Sequence, residues 1–113
     1  MEIHFRHRKM QKACNSERDC VKRWGASRAR RILQRLAELA AADNLAVIGV
    51  LPPARLHELQ GDRAGQFAVD VVHPFRLVFE PWHNPVPKTA EGGIDKPQIT
   101  AIRILFVEDY HGR

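Results

Sequence analysis

The chain has 113 residues, a formal net charge of +5, 44% hydrophobic and 27% charged residues, which fits one globular domain and leaves no room for a second. Its apolar runs fall far short of the ~20 residues that cross a bilayer, and MEIHFRHRKMQKAC lacks the apolar stretch and cleavage site of a secretory leader, so a cytoplasmic protein with no membrane partner is expected. Residues 1–35 hold 11 Lys/Arg against three acids and residues 36–113 hold seven against ten, about +8 beside −3; that asymmetry suits a polyanion, an acidic partner protein or a solvated helical face.

In chain order, EIHFR (residues 2–6) alternates with Ile3 and Phe5 on one side and reads as a short strand. Met10, Cys14, Val21 and Trp24 then recur at helical spacing through residues 7–24, with Gly25 placed to end that helix in the left-handed conformation. On such a helix Cys14 and Cys20 are ~9 Å apart along the axis and on different faces, unable to pair; Cys14 reads as core filler and Cys20 as an ordinary thiol. Ser27 is placed to cap a second helix, SRARRILQRLAELAAA, with Ala29, Ile32, Leu33, Leu36 and Leu39/Ala40 as its apolar stripe and Arg28, Arg30, Arg31 and Arg35 mostly off it.

Residues 43–65, rich in Gly and Pro, read as an irregular connection. QFAVDVV, a His73-Pro74 turn, FRLVFE and QITAIRILFVEDY follow as an antiparallel meander, interrupted at residues 81–97 by PWHNPVPKTAEGGIDKP, whose four prolines and paired glycines rule out regular structure. The expected fold class is α+β in the order β-α-α-β-β-β, two N-terminal helices packed on a small antiparallel sheet that strand 1 joins.

Three stretches carry residues suited to chemistry. RLHELQGDRAGQF places Arg55, His57 and Arg63 around a Gly-bounded turn, an imidazole able to move a proton near neutral pH beside guanidiniums able to hold phosphate. In HPFRLVFEP, Phe75, Leu77 and Phe79 belong to the core while Arg76 faces the other way and needs an anion or a carboxylate such as Asp70. In the closing FVEDYH, Asp109 and His111 project to one side and Tyr110 to the other. His57, Arg76, Asp109, Tyr110 and His111 form a set that could break a phosphodiester through its 2′-hydroxyl: a base, cations for the phosphorane charge and an acid, without a cofactor. His57, Asp109 and His111 could instead be three ligands of a metal ion, though no spacing here is diagnostic of one, and none is expected.

These stretches, HELQGDRAGQFAVDV, HPFRLVFEP and ITAIRILFVEDYH after a helix pair, resemble the RelE/ParE superfamily of type II toxins, and within it the HigB-like plasmid-maintenance killer proteins. The resemblance covers nearly the whole chain. It implies the RelE-like microbial RNase fold in a single domain over residues 1–113. It also implies a toxin that enters the ribosomal A site and cleaves mRNA, held in check by a cognate HigA-like helix-turn-helix antitoxin. The implied catalytic cluster is His57 with Asp109, Tyr110 and His111, joined by Arg76 of the strand pattern; Arg55 and Arg63, and Lys9, Lys12, Lys22, Arg23, Arg28, Arg30, Arg31 and Arg35 of the basic helices, are the expected RNA contacts. Classical RelE members use Lys, Arg and Tyr where this chain has histidines, so base and acid lie open between His57 and His111. Other members of the superfamily act on DNA gyrase by binding alone, which makes a ParE-like gyrase inhibitor the alternative.

Overall fold

The expected first helix is broken in two. In the computed structural model, which describes residues 1–110, strand β1 (Glu2–Phe5) leads into α1 (Arg8–Ala13), and α2 (Glu17–Trp24) follows after a turn. The cause is local: Ser16 is extended and its hydroxyl accepts from the Asp19 backbone N–H at 3.1 Å, starting a new helix where periodicity alone reads straight through. Gly25 ends α2 as expected of a glycine, with φ +85°, but its ψ of 161° is not that of a left-handed turn. The same residue is the N-cap of α3 (Ala26–Ala41), so Ser27 lies inside the helix rather than capping it.

The break also brings the two cysteines together. Cys20 is fully buried and Cys14, at the end of α1, is half-buried, the reverse of the expected assignment. The Cys20 thiol donates to the Ala29 carbonyl at 3.9 Å, and the Cys14 thiol neighbours it. Burial above all, and then the neighbouring thiol, pushes the Cys14 thiol up to about 12. Iodoacetamide at pH 8 is therefore expected to alkylate Cys14 ~10²-fold more slowly than free cysteine, the scarcity of thiolate being partly offset by its greater nucleophilicity; a free-cysteine rate in the folded protein would refute the packing. Because the folded value lies above the unfolded 9.0, the contribution of this thiol to stability is complete below pH 9 and fades as pH rises toward about 12.

The connection after α3 is more ordered than its composition suggests. It holds a short helix α4 (Leu45–Ile48), a two-residue strand β2 (His57–Glu58) and a 3₁₀ turn at Gly61–Arg63. Strands β3 (Phe67–Asp70), β4 (Phe75–Pro81) and β5 (Ala101–Asp109) then form the meander. Between β4 and β5 the chain doubles back through an antiparallel bridge of Lys88 with Ile94, tightened by the Thr89 N–H to the Gly93 carbonyl at 2.8 Å, and Val86 and Ile94 pack against the core.

The fold is α+β, and its five-stranded sheet runs β1-β5-β4-β3-β2. Contrary to the all-antiparallel expectation it is mixed, since β1 lies parallel to β5 with Ile3 opposite Ile102 and Phe5 opposite Ile104. Both strands turn apolar residues to the helix side, and the intervening helices return the chain in the direction that a parallel neighbour needs. That side buries Met10, Cys20, Ile32 and Leu39 of the helices against Phe67, Val69, Leu77, Phe79, Ile102 and Ile104. The opposite side has only a small apolar cluster of Leu59, Ala68, Val78 and Leu105, flanked by Phe106. Among the described residues no helix is long and apolar enough to cross a membrane.

Candidate functional site

Strand pairing builds the site on the sheet face that the helices leave open. Asp70 of β3 pairs with Arg76 of β4, and Arg76 with Glu108 of β5, so the pleat places all three in one row on that face. His57 of β2 pairs with Ala68 and joins them from the edge.

Arg76 finds its carboxylate in Glu108, not in Asp70. Its Nε donates to Glu108 Oε2 at 2.6 Å, and Arg63, carried in by the Gly61–Arg63 turn, donates to the same oxygen from Nη1 at 3.1 Å. Burial pushes the Glu108 carboxyl upward, but the hydrogen bonds and charges of the two guanidiniums outweigh it and hold the group below its ordinary value. The Arg76 guanidinium also lies 4.7 Å from the centre of the Tyr110 ring, whose other neighbour is His73, edge-on at 6.1 Å. The Tyr110 N–H bonded to the Pro74 carbonyl at 3.1 Å fixes this end of the chain against the β3–β4 turn.

Asp70 turns to the other flank. Its Oδ1 is 3.4 Å from His57 Nε2 and its Oδ2 is 3.5 Å from Arg55 Nε. His57, Arg55, Arg63, Arg76 and Tyr110 thus stand around two carboxylates at one end of an open sheet face. Asp109 is off this row: it is exposed and pairs with Phe75, on the alternate face from Glu108. His111 lies outside the described residues. Among the described residues no group of three or more His, Cys, Asp or Glu is arranged to hold a metal ion.

The basic helices divide by environment. Lys9, Lys12, Lys22 and Arg23 line a groove of about 700 Å³ along α1 and α2, and Arg23 stacks on Trp24 at 4.8 Å. Arg28 stacks on Phe75 at 4.1 Å, the residue that pairs with Asp109. Arg30 borders a smaller cleft beside Glu17, Val21 and Leu33, and Arg31 donates to Gln34 at 2.7 Å. Arg35 does not belong to this surface. It is 3% exposed, with Nε donating to the Asp70 carbonyl and Nη2 to the Pro53 carbonyl, both at 2.7 Å, and Nη1 to Glu38 at 3.1 Å. An interior guanidinium with every nitrogen bonded is structural, so phosphate contact is not open to Arg35.

Sequence reasoning passed over Glu108 and His73 as site residues and gave Asp70 to Arg76. The signal for Glu108 was its i,i+2 spacing to Tyr110, which puts both on the face of Arg76. No protein-family model matches the chain, and no curated protein matches it either.

Proposed function

We propose that this protein is the toxin of a type II toxin–antitoxin system, a ribosome-dependent endoribonuclease that cleaves mRNA through the 2′-hydroxyl next to the scissile phosphate. The supporting observation is the convergence of His57, Arg63, Arg76 and Tyr110 on one open sheet face. That face is left bare by the helices, and the residues on it match the needs of the reaction. The His57 imidazole takes the 2′-hydroxyl proton, Arg76 and Arg63 stabilise the dianionic phosphorane, and Tyr110 or His111 protonates the leaving 5′-oxygen. The frame of two main helices, α2 and α3, followed by the meander is taken as a RelE-like fold carrying extra short elements. The cytoplasmic partners of this reading are the ribosome with its mRNA and an HigA-like antitoxin that covers the open face.

Induction in cells followed by mapping of mRNA 5′ ends tests the reading. Cleaved mRNA with 2′,3′-cyclic phosphate ends is expected, in the absence but not in the presence of the antitoxin. Products bearing 3′-hydroxyl and 5′-phosphate ends would move the chemistry to a metal-assisted route. Intact mRNA with DNA damage and SOS induction would move the target to gyrase.

The groove of α1 and α2 carries a separate expectation. Changing Lys9, Lys12, Lys22 and Arg23 to Gln should weaken ribosome binding and flatten the log–log salt dependence by about 3, at roughly 0.7 to 0.9 per lost phosphate contact. Codon preference should stay as it is, because phosphate contacts position without specifying. An unchanged slope in a salt titration assigns these four side chains to solvation or to the antitoxin.

A further inference from the structure

The nuclease reading gives His57 a proton to accept, and the geometry around it says which nitrogen accepts it. The Asp70 backbone is held at both its N–H and its carbonyl. Its N–H donates to the Ala54 carbonyl at 2.7 Å, its carbonyl accepts from Arg35 Nε at 2.7 Å, and Arg35 Nη2 also holds the Pro53 carbonyl at 2.7 Å. The end of β3 and the segment that delivers His57 are thereby clamped to the same buried guanidinium. Arg55 follows with φ +48°, the left-handed region that residues with a Cβ rarely occupy. That bend turns the chain so that His57, two residues on, pairs with Ala68 and its ring meets Asp70.

Nε2 of the ring is the atom that faces the carboxylate, 3.4 Å from Oδ1. A bare Nε2 would set its lone pair against a carboxylate oxygen, whereas an N–H there is attracted to it. Oδ1 is buried and makes no aligned hydrogen bond among the described residues, to His57 Nε2 or to any competing donor, so at 3.4 Å the two atoms are near neighbours and a small rotation of the ring is what would align an Nε2–H on the oxygen. The other charged groups nearby leave this pairing alone: Arg55 approaches Oδ2, Arg76 and Arg63 are bound to Glu108, and Glu58 pairs with Lys96 at 3.6 Å. Asp109 pairs with Phe75 on the alternate face.

We infer that Asp70 is the positioning residue for His57: it keeps the proton of the neutral imidazole on Nε2 and so makes Nδ1 the atom that receives the 2′-hydroxyl proton. The inference rests on the nuclease reading for its consequence in catalysis, but the pairing itself can be measured without RNA. In the ¹⁵N spectrum of the folded protein, at a pH where imidazole is neutral and with His57 identified by its loss in His57→Gln, a single tautomer protonated on Nε2 is expected. In Asp70→Ala the same ring should become an exchanging mixture of both tautomers. A wild-type ring that is already a mixture, or protonated on Nδ1, overturns the assignment without Asp70→Ala having to fold. An unchanged ring in Asp70→Ala overturns it as well.

With ribosomes and mRNA, Asp70→Ala should lower kcat at least ~10-fold with KM within about twofold, because a misdirected imidazole still lets RNA bind. Full kcat in that variant overturns the positioning role. If the spectra come out as expected and the wild-type protein leaves mRNA intact, the nuclease reading falls while the Asp70–His57 pairing stands.

Discussion

Replacing Arg35 with methionine is expected to lower the melting temperature by roughly 10–15 °C, although this residue lies in the most basic stretch of the chain. The side chain is 3% exposed and bonds two backbone carbonyls and Glu38. Methionine fills similar space but donates nothing, leaving those carbonyls without a partner and Glu38 without its cation. Loss of such a group costs about 3 kcal/mol, which at this size corresponds to the stated shift. Lysine restores the charge but cannot fork to two carbonyls, so Arg35→Lys should fall between the two. Thermal denaturation followed by circular dichroism decides the matter, and a shift under ~3 °C would mean that the buried network is not what joins α3 to the end of β3.

The second large effect is in activity. His57→Gln should reduce mRNA cleavage ~10² to 10⁴-fold, the usual loss on removing a general base, and Arg76→Met should cost ~10² to 10³-fold through the lost phosphorane contact. Both substitutions fall on the open face, and the helix-side core is untouched. Growth arrest on induction should therefore disappear while the proteins stay soluble and folded. Wild-type arrest by soluble His57→Gln would remove this histidine from the chemistry, and the nuclease reading would then lose its base. Asp109→Ala is the informative comparison, because Asp109 is exposed at the strand end and off the row of Arg76.

Much of this arrangement was readable in the sequence. The alternation in FRLVFE separates Leu77 and Phe79 of the core from Arg76, and the structure keeps that division. What escaped was set by contacts between distant segments. Arg76 was given Asp70 as the carboxylate on the neighbouring strand; the choice of Glu108 depends on the register of β5, which contains a bulge opposite Val78/Phe79 that no local pattern announces. The two-helix break was legible in Ser16-Glu17-Arg18-Asp19, a cap with an acid three residues on, which the continuous apolar spacing hides. Arg35 is the instructive miss. It stands three residues after Ile32 and four before Leu39, so spacing places it within the apolar stripe, and its charge was read in preference to its position. The short elements β2 and α4 have too few residues to show a period at all.

The parallel pairing of β1 with β5 has a consequence in time. Glu2 must find Ala101, and Phe5 must find Ile104, so the first of these five strands to be synthesised waits for the last of them. At translation rates of roughly 5–20 residues per second, that interval is about 5–20 s. In it the helices can form and pack on one another, whereas β5, the strand that joins β1 to the meander, does not yet exist. Glu108 and Tyr110 ride on or directly after that strand, which makes the open face the last part of this sheet to be assembled. His57, Arg63 and Arg76 are thus synthesised well before Glu108 and Tyr110, and the row on the open face is completed only when β5 pairs with β4.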